Sequence, residues 1–360
     1  MGHQPENLAS ERRSLRIIRH FFLLPYLIKC YFCRFYQNRT VVNTIEQQFQ
    51  EILQNKEPKN LYDPIEYILM QSGKRLRPSM VHMAADLFNG DNEQTQHVAA
   101  AFEMLHNFTL IHDDIMDKAD VRRGLPTVYK KWNSNIAILS GDALVALALL
   151  ELLKTNCPPE TVKAITEIFA RIGLEICEGQ QFDLDFETME IVPIEQYVEM
   201  IRLKTAVMFA GCLKSGGLVA GADAESLQSL YDLGIHLGLA FQLADDLLDV
   251  YADSAHFGKK VGGDIKDNKK TFVYLKALEL ANDVQKQQLK ALFSTVPADE
   301  QAKFEQVKAI FDAVNVREAT EKEIGRYTQM CMEDIQKIHT EEAKKQQLIT
   351  LVRNLQSRDK

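Results

Sequence analysis

Two short acidic runs of one form, HDDIMD at residues 112–117 and ADDLLD at 244–249, each lie inside a long apolar stretch. FTLI precedes the first run and GLAFQL the second, where a solvated helix face would carry Lys, Glu and Gln. In a helix, residues four apart share a face. Asp113 and Asp117 therefore project together with Asp114 one step round, and Asp245, Asp249 and Asp246 repeat the pattern. Two such helices face to face would present up to six carboxylates to one cavity. Buried negative charge without a counter-charge is expensive, so the arrangement demands cations. Hard oxygen ligands with room for water suit magnesium, which binds through a few carboxylates and the phosphates of a substrate.

Composition sets the class. Ten Pro and seventeen Gly among 360 residues are few, and 46% hydrophobic with 26% charged residues describes an ordinary globular chain rich in helix formers. The expectation is an all-α protein. From residue 44 onward the apolar periodicity is helical, interrupted at 56–60, 89–92, 122–127, 155–159, 187–193, 221–224, 253–268 and 296–300. Pro64, behind Asp63, and Pro193 read as helix starts, Gly238, Gln242, Asp245 and Asp249 as a stripe lining a pocket, and the last sixty residues as surface helices. No linker divides residues 41–360, so one domain is expected, with residues 1–40 a separate extension. That extension is basic, then apolar, but Pro25, Lys29 and Arg34 break the apolar run well short of the roughly 20 residues that span a bilayer. No transmembrane segment is expected. A formal charge of −8 argues against nucleic-acid binding. Six scattered cysteines without a secretory signal suit a reducing cytoplasm.

Basic residues follow both acidic runs. Arg122 and Arg123 come directly after the first, and GKKVGGDIKDNKK at 258–270 after the second, with Lys259, Lys260, Lys266, Lys269 and Lys270. GKRLRP at 73–78 sets Lys74, Arg75 and Arg77 at a helix start, where free N–H groups favour an anion. His106, Thr109, Asp113 and Asp117 form one helical stripe. A pocket charged at its mouth and apolar below suits a ligand with a diphosphate head and a hydrocarbon tail.

These motifs, with GD at 141–142, RLKTA at 202–206 and FQLADDLLD at 241–249, stand in the order of the trans-isoprenyl diphosphate synthases, the farnesyl and geranylgeranyl diphosphate synthase family, which the chain resembles from about Thr44 to its end. The resemblance implies a bundle of about ten core helices around a central cavity, a homodimer and three magnesium ions. It implies that Lys74, Arg77, His106 and Arg123 hold isopentenyl diphosphate. Asp113, Asp117 and Asp245 would hold the allylic diphosphate through magnesium, with Asp114, Asp246 and Asp249 completing the acidic set. Arg122, Lys204, Lys269 and one of Lys259 and Lys260 would grip that diphosphate directly. Lys204, Thr205 and Gln242 would act beside the reacting cation.

In that family a bulky residue ahead of the first motif closes the floor of the tunnel. Phe108 lies five residues before Asp113, about 7 Å deeper at 1.5 Å per residue, and Thr109 takes the next position. The resemblance is to short-chain enzymes with a geranylgeranyl product, farnesyl being the alternative. ADDLLD lacks the mixed Asn, Ser and Glu pattern of the terpene cyclases. A non-catalytic partner subunit would have lost aspartates or basic residues that this chain retains.

Overall fold

Side-chain caps set where several long helices begin. The computed structural model describes residues 39–252, 262–294 and 299–356. Its helices are α1 (Arg39–Leu53), α2 (Lys59–Leu69), α3 (Leu76–Asp86), α4 (Asn92–Met116), α5 (Val128–Lys131), α6 (Ser134–Leu152), α7 (Pro159–Thr188) and α8 (Ile194–Ile201). After a π turn (Arg202–Ala206) come α9 (Val207–Val219), α10 (Ala224–Tyr251), α11 (Gly263–Lys266), α12 (Phe272–Leu280), α13 (Asp283–Phe293), α14 (Glu300–Ala313), α15 (Val316–Lys337) and α16 (Glu342–Gln356). Asp91 caps α4 by accepting from the Glu93 N–H, and Asp223 caps α10 by accepting from Glu225 and Ser226. The chain is all-α as expected. Among the described residues the one exception is a hairpin of two-residue strands, Val121–Arg122 paired with Leu125–Pro126.

Two hydrophobic clusters meet along α10. Leu230, Leu233 and Leu237 join a core with Phe49, Phe102, Phe169 and Phe209, whereas Leu239, Leu243 and Leu247 join one with Phe272, Val307 and Phe311. This spine lets α10 run through the interior to its acidic end, and Lys269 lies in the field of both Asp117 at the end of α4 and Asp264 beside that of α10.

Three expectations need correction. Pro64 lies inside α2 rather than at its start: the helix begins a turn earlier, where Leu61 and Tyr62 donate to the Pro58 carbonyl. The C-terminal helices are more than a surface layer. Val316, Ile324, Cys331 and Ile335 of α15 are buried, and His236 of α10 meets Asp334 at 2.6 Å. Their apolar positions are sparse because one narrow stripe suffices to pack against α10. Gly238 lines no pocket. A Cβ there would lie 2.4 Å from the Ala206 Cα, so this glycine exists to let α10 cross the π turn closely.

α6 is long and apolar enough to cross a membrane, with a mean hydropathy of 1.8. Ala137, Leu144 and Ala148 on it are core residues, while Leu139, Leu150 and Leu153 are exposed.

His82 of α3 packs against α4 with Nδ1 2.9 Å from the Thr95 hydroxyl, and burial lowers its pKa to about 4. Because the unfolded chain takes up this proton near pH 6.5, the stability at stake is complete above that pH and lost as pH falls toward 4. The loss reaches about 3 kcal/mol. Urea unfolding of the parent and His82→Asn between pH 7.5 and 4 checks this: the parent should lose more stability on acidification, and parallel curves would contradict it.

Candidate active site

α4 and α10 end with carboxylates where a helix C-terminus already carries partial negative charge, and neither has a basic residue in its last turn. Asp113 is half-buried. Burial pushes its pKa up to about 6, with Asp117 and Asp183 adding to the rise and Lys204 and Arg122 opposing it. Asp117, exposed, is the C-cap of α4. Asp114 is buried and turned the other way, onto Arg122, whose Nε lies 2.9 and 3.0 Å from its two oxygens and Nη2 2.7 Å from Oδ1. The middle aspartate thus holds the arginine that follows it, rather than sharing a face with Asp113.

The second bank repeats this division. Asp245 is half-buried, while Asp246 is buried and points inward. Asp246 accepts from the Tyr197 hydroxyl at 2.5 Å, Gln242 Nε2 at 3.1 Å and the Phe272 N–H at 3.2 Å. Burial, reinforced by Asp264, drives its pKa up to about 8. The carboxylate of Asp249 accepts from the Gly263 and Asp264 N–H groups and so anchors the start of α11. That turn carries Asp264 up to the bank. Its pKa rises to about 7 through burial, Asp249 and Asp245, against Lys269.

Between the banks lies the π turn. Such an extra residue in a helix often marks a functional site, and here it displays Lys204 and Thr205. Lys204 Nζ bonds Asp183 of α7 at 2.6 Å. The Thr205 hydroxyl donates to Gln242 Oε1 at 3.1 Å. Thr205, Gln242, Asp246 and Tyr197 therefore form one chain of hydrogen bonds. For Lys269, burial works against the charge, but Asp264, Asp117 and Asp183 outweigh it and raise the pKa. This lysine answers carboxylates of both banks. Lys270 instead caps α7, donating to the Phe186 and Glu187 carbonyls at 2.6 and 3.1 Å. Lys259 and Lys260 lie outside the described residues.

The GKRLRP segment splits. Arg75, left-handed at φ 46°, turns inward to Glu103 at 2.8 Å and to the Leu69 carbonyl at 2.5 Å, so it is a structural residue. Lys74 is exposed. The guanidinium of Arg77 lies 5.5 Å from the Phe209 ring centre, and its buried Nε has no hydrogen-bond partner among the described residues. Arg123 lies across Gly73, where an added Cβ would come within 3.4 Å of its Nη1. His106 is neutral: burial, then Arg77, Arg123, Arg122 and Arg75, hold its pKa well below the usual range. Between His106 and Asp113 on α4, Phe108 is partly buried and Thr109 donates to the His106 carbonyl at 2.8 Å.

Among the described residues no three His, Cys, Asp or Glu side chains converge into a metal cage. The donor set nonetheless fits magnesium, a cation that takes few protein carboxylates and completes its shell with water and phosphate oxygens. Carboxylates whose pKa values are raised by burial and by one another are short of positive charge. Arginines around a neutral histidine, one with an orphaned N–H, are short of an anion. Sequence reading missed Asp183, Tyr197 and Asp264. Asp264 sits among the lysines of GGDIKDNKK, while Asp183 and Tyr197 carry no sequence signal apart from their contacts.

The family model described as polyprenyl synthetase matches residues 58–312. A geranylgeranyl diphosphate synthase from Sulfolobus acidocaldarius is 40% identical over 255 residues, which span 70% of this chain and 77% of that protein. A crystal structure of a geranylgeranyl pyrophosphate synthase superposes with a TM-score of 0.84 at 40% identity, covering 89% of this chain and 98% of that one. The geranylgeranyl pyrophosphate synthetase from Pyrococcus horikoshii matches with a TM-score of 0.84 at 30% identity, covering 91% and 98%.

The neighbours Lys74 and Arg75 should separate in a stability assay. Arg75→Ala takes from buried Glu103 its hydrogen-bonded partner, leaving it only the more distant charges of Arg77 and Arg123, and should cost about 3 kcal/mol, whereas Lys74→Ala should stay within about 0.5 kcal/mol. Equal losses in urea unfolding would contradict the split.

Proposed function

The chain belongs to the polyprenyl synthetase family, and we propose that this prenyltransferase condenses isopentenyl diphosphate with allylic diphosphates and stops at geranylgeranyl diphosphate. The observation that carries the reading is the pair of carboxylate banks that share Lys269, each beside further basic groups. Residues 41–360 are taken as one catalytic unit.

Lys74, Arg77, His106 and Arg123 receive the isopentenyl diphosphate. As a neutral imidazole, His106 gives the anion a hydrogen bond without adding charge among the arginines. Asp113, Asp117 and Asp245 hold magnesium, three ions in all, with Asp249 and Asp264 beside Asp245. When bound, magnesium supplies the positive charge that neutralises the departing diphosphate. Arg122, Lys204, Lys269 and one of Lys259 and Lys260 grip that diphosphate directly. Asp114 fixes Arg122 and Asp246 fixes Gln242, so the two middle aspartates are positioning residues.

The allylic C–O bond ionises, the isopentenyl double bond attacks the cation, and the new cation loses a proton to the released diphosphate. The Thr205 and Gln242 oxygens face the developing positive charge and stabilise it without attacking. Phe108, with Thr109 beside it, closes the floor and sets the twenty-carbon length. The working form is a homodimer closed over the exposed leucines of α6, its C-cap and α7, Leu139, Leu150, Leu153 and Leu174. The free cysteines Cys157, Cys177, Cys212 and Cys331 suit a reducing cytoplasm.

Purified protein given magnesium, isopentenyl diphosphate and dimethylallyl, geranyl or farnesyl diphosphate in turn should yield a linear twenty-carbon diphosphate by mass. A fifteen-carbon product would assign it as a farnesyl synthase, and no condensation with any primer would point to a non-catalytic subunit. Asp113→Asn should lower kcat by on the order of 10³-fold, since it removes a transition-state charge contact. Phe108→Ala should lengthen the product, and an unchanged spectrum would overturn its role as the floor.

A further inference from the structure

Phe108 does not set its own position. One turn along α4, His112 meets it edge to face, with ring centres 4.6 Å apart and planes at 62°. The imidazole also lies on the backbone of α6. A Cβ built at Gly141 would fall 2.3 Å from His112 Nε2 and 2.6 Å from Cδ2, so no other residue leaves room for the ring. The same Nε2 is 3.3 Å from the Ile138 carbonyl and 3.8 Å from Asp142 Oδ1. At the far end of the same helix pair, His97 of α4 meets Glu151 of α6 at 2.9 Å. The register of the two helices is therefore pinned at both ends, and His112 cannot slide off its seat.

We propose that His112, seated on Gly141, determines product length by holding the Phe108 ring in place. This rests on the reading of Phe108 as the tunnel floor. Both are positioning residues, acting through Phe108. An aromatic pair of this geometry biases a side chain by about two- to tenfold, enough to decide whether a floor stays shut for one more condensation. Without the imidazole, Phe108 can swing into the vacated space and deepen the tunnel. A methyl group at position 141 does the reverse, driving the imidazole toward Phe108.

The test is the ratio of fifteen-, twenty- and twenty-five-carbon products formed from dimethylallyl and isopentenyl diphosphates. His112→Ala should raise the share of the longer homologue about two- to tenfold, Gly141→Ala should shift the ratio toward shorter products, and His112→Phe, which keeps a ring, should stay near the parent. The rate of the first condensation should stay within about twofold in all three. Should Gly141→Ala fail to fold, His112→Ala, which only removes atoms, still decides. Parent ratios in His112→Ala alongside longer products in Phe108→Ala would overturn the positioning role alone. Parent ratios in Phe108→Ala as well would overturn the floor reading on which it rests.

Discussion

Carboxylates gathered at the C-terminal ends of α4 and α10 repel one another, and each sits at the end of a helix where the backbone is already electronegative. Much of the surrounding structure answers that repulsion. Lys204 is drawn to Asp183 beside Asp113, Lys269 lies within reach of Asp117 and Asp264, and Arg122 closes on Asp114. These cations do not offset the cost of burying the carboxylates, which chiefly keeps the pKa values of Asp113 and Asp264 raised, with neighbouring aspartates adding to it. A fold selected for stability alone would place lysines in those last turns. The unmet charge is what makes the site receptive to divalent cations and, through them, to a diphosphate.

Holding such a site open needs rigid packing behind it. The spine of α10 supplies it, touching both hydrophobic clusters and approaching the π turn through Gly238. Tyr197, Asp246, Gln242 and Thr205 tie α8, α10 and the π turn together by hydrogen bonds. In each acidic run the middle aspartate works inward, while Asp113, Asp117 and Asp245 stay partly or fully exposed and Asp249 holds the start of α11, because the middle position lies about 100° round the helix from its neighbour. A single run thus furnishes both solvent-facing carboxylates and a buried acceptor that orients a partner.

Much of this was legible in the sequence. Apolar periodicity gave the helical class, and the two aspartate runs with their basic followers marked the site, because these signals are local. What the sequence hid is tertiary. Arg75 and Arg77 look alike in GKRLRP, and only the left-handed backbone at Arg75 ties that one to Glu103 by a hydrogen bond while the Arg77 Nε stays unpartnered. Asp114 and Asp246 were grouped with the metal-facing set because spacing gives an angle about the helix axis but not what waits there. Asp183 and Tyr197 matter only through contacts with residues 21 and 49 positions away. Helix α15 read as surface because a narrow buried stripe barely changes the composition.

On this reading the two banks and the arginines form one site for a metal-bound diphosphate. Its most direct test is thermal unfolding of the intact protein with magnesium alone, with inorganic diphosphate alone, and with both. Cooperative binding should raise the Tm with both together well beyond the sum of the separate shifts, since ligands that bind only the folded state stabilise it in proportion to their coupled occupancy. Shifts that merely add, or a full shift from diphosphate without magnesium, would contradict it.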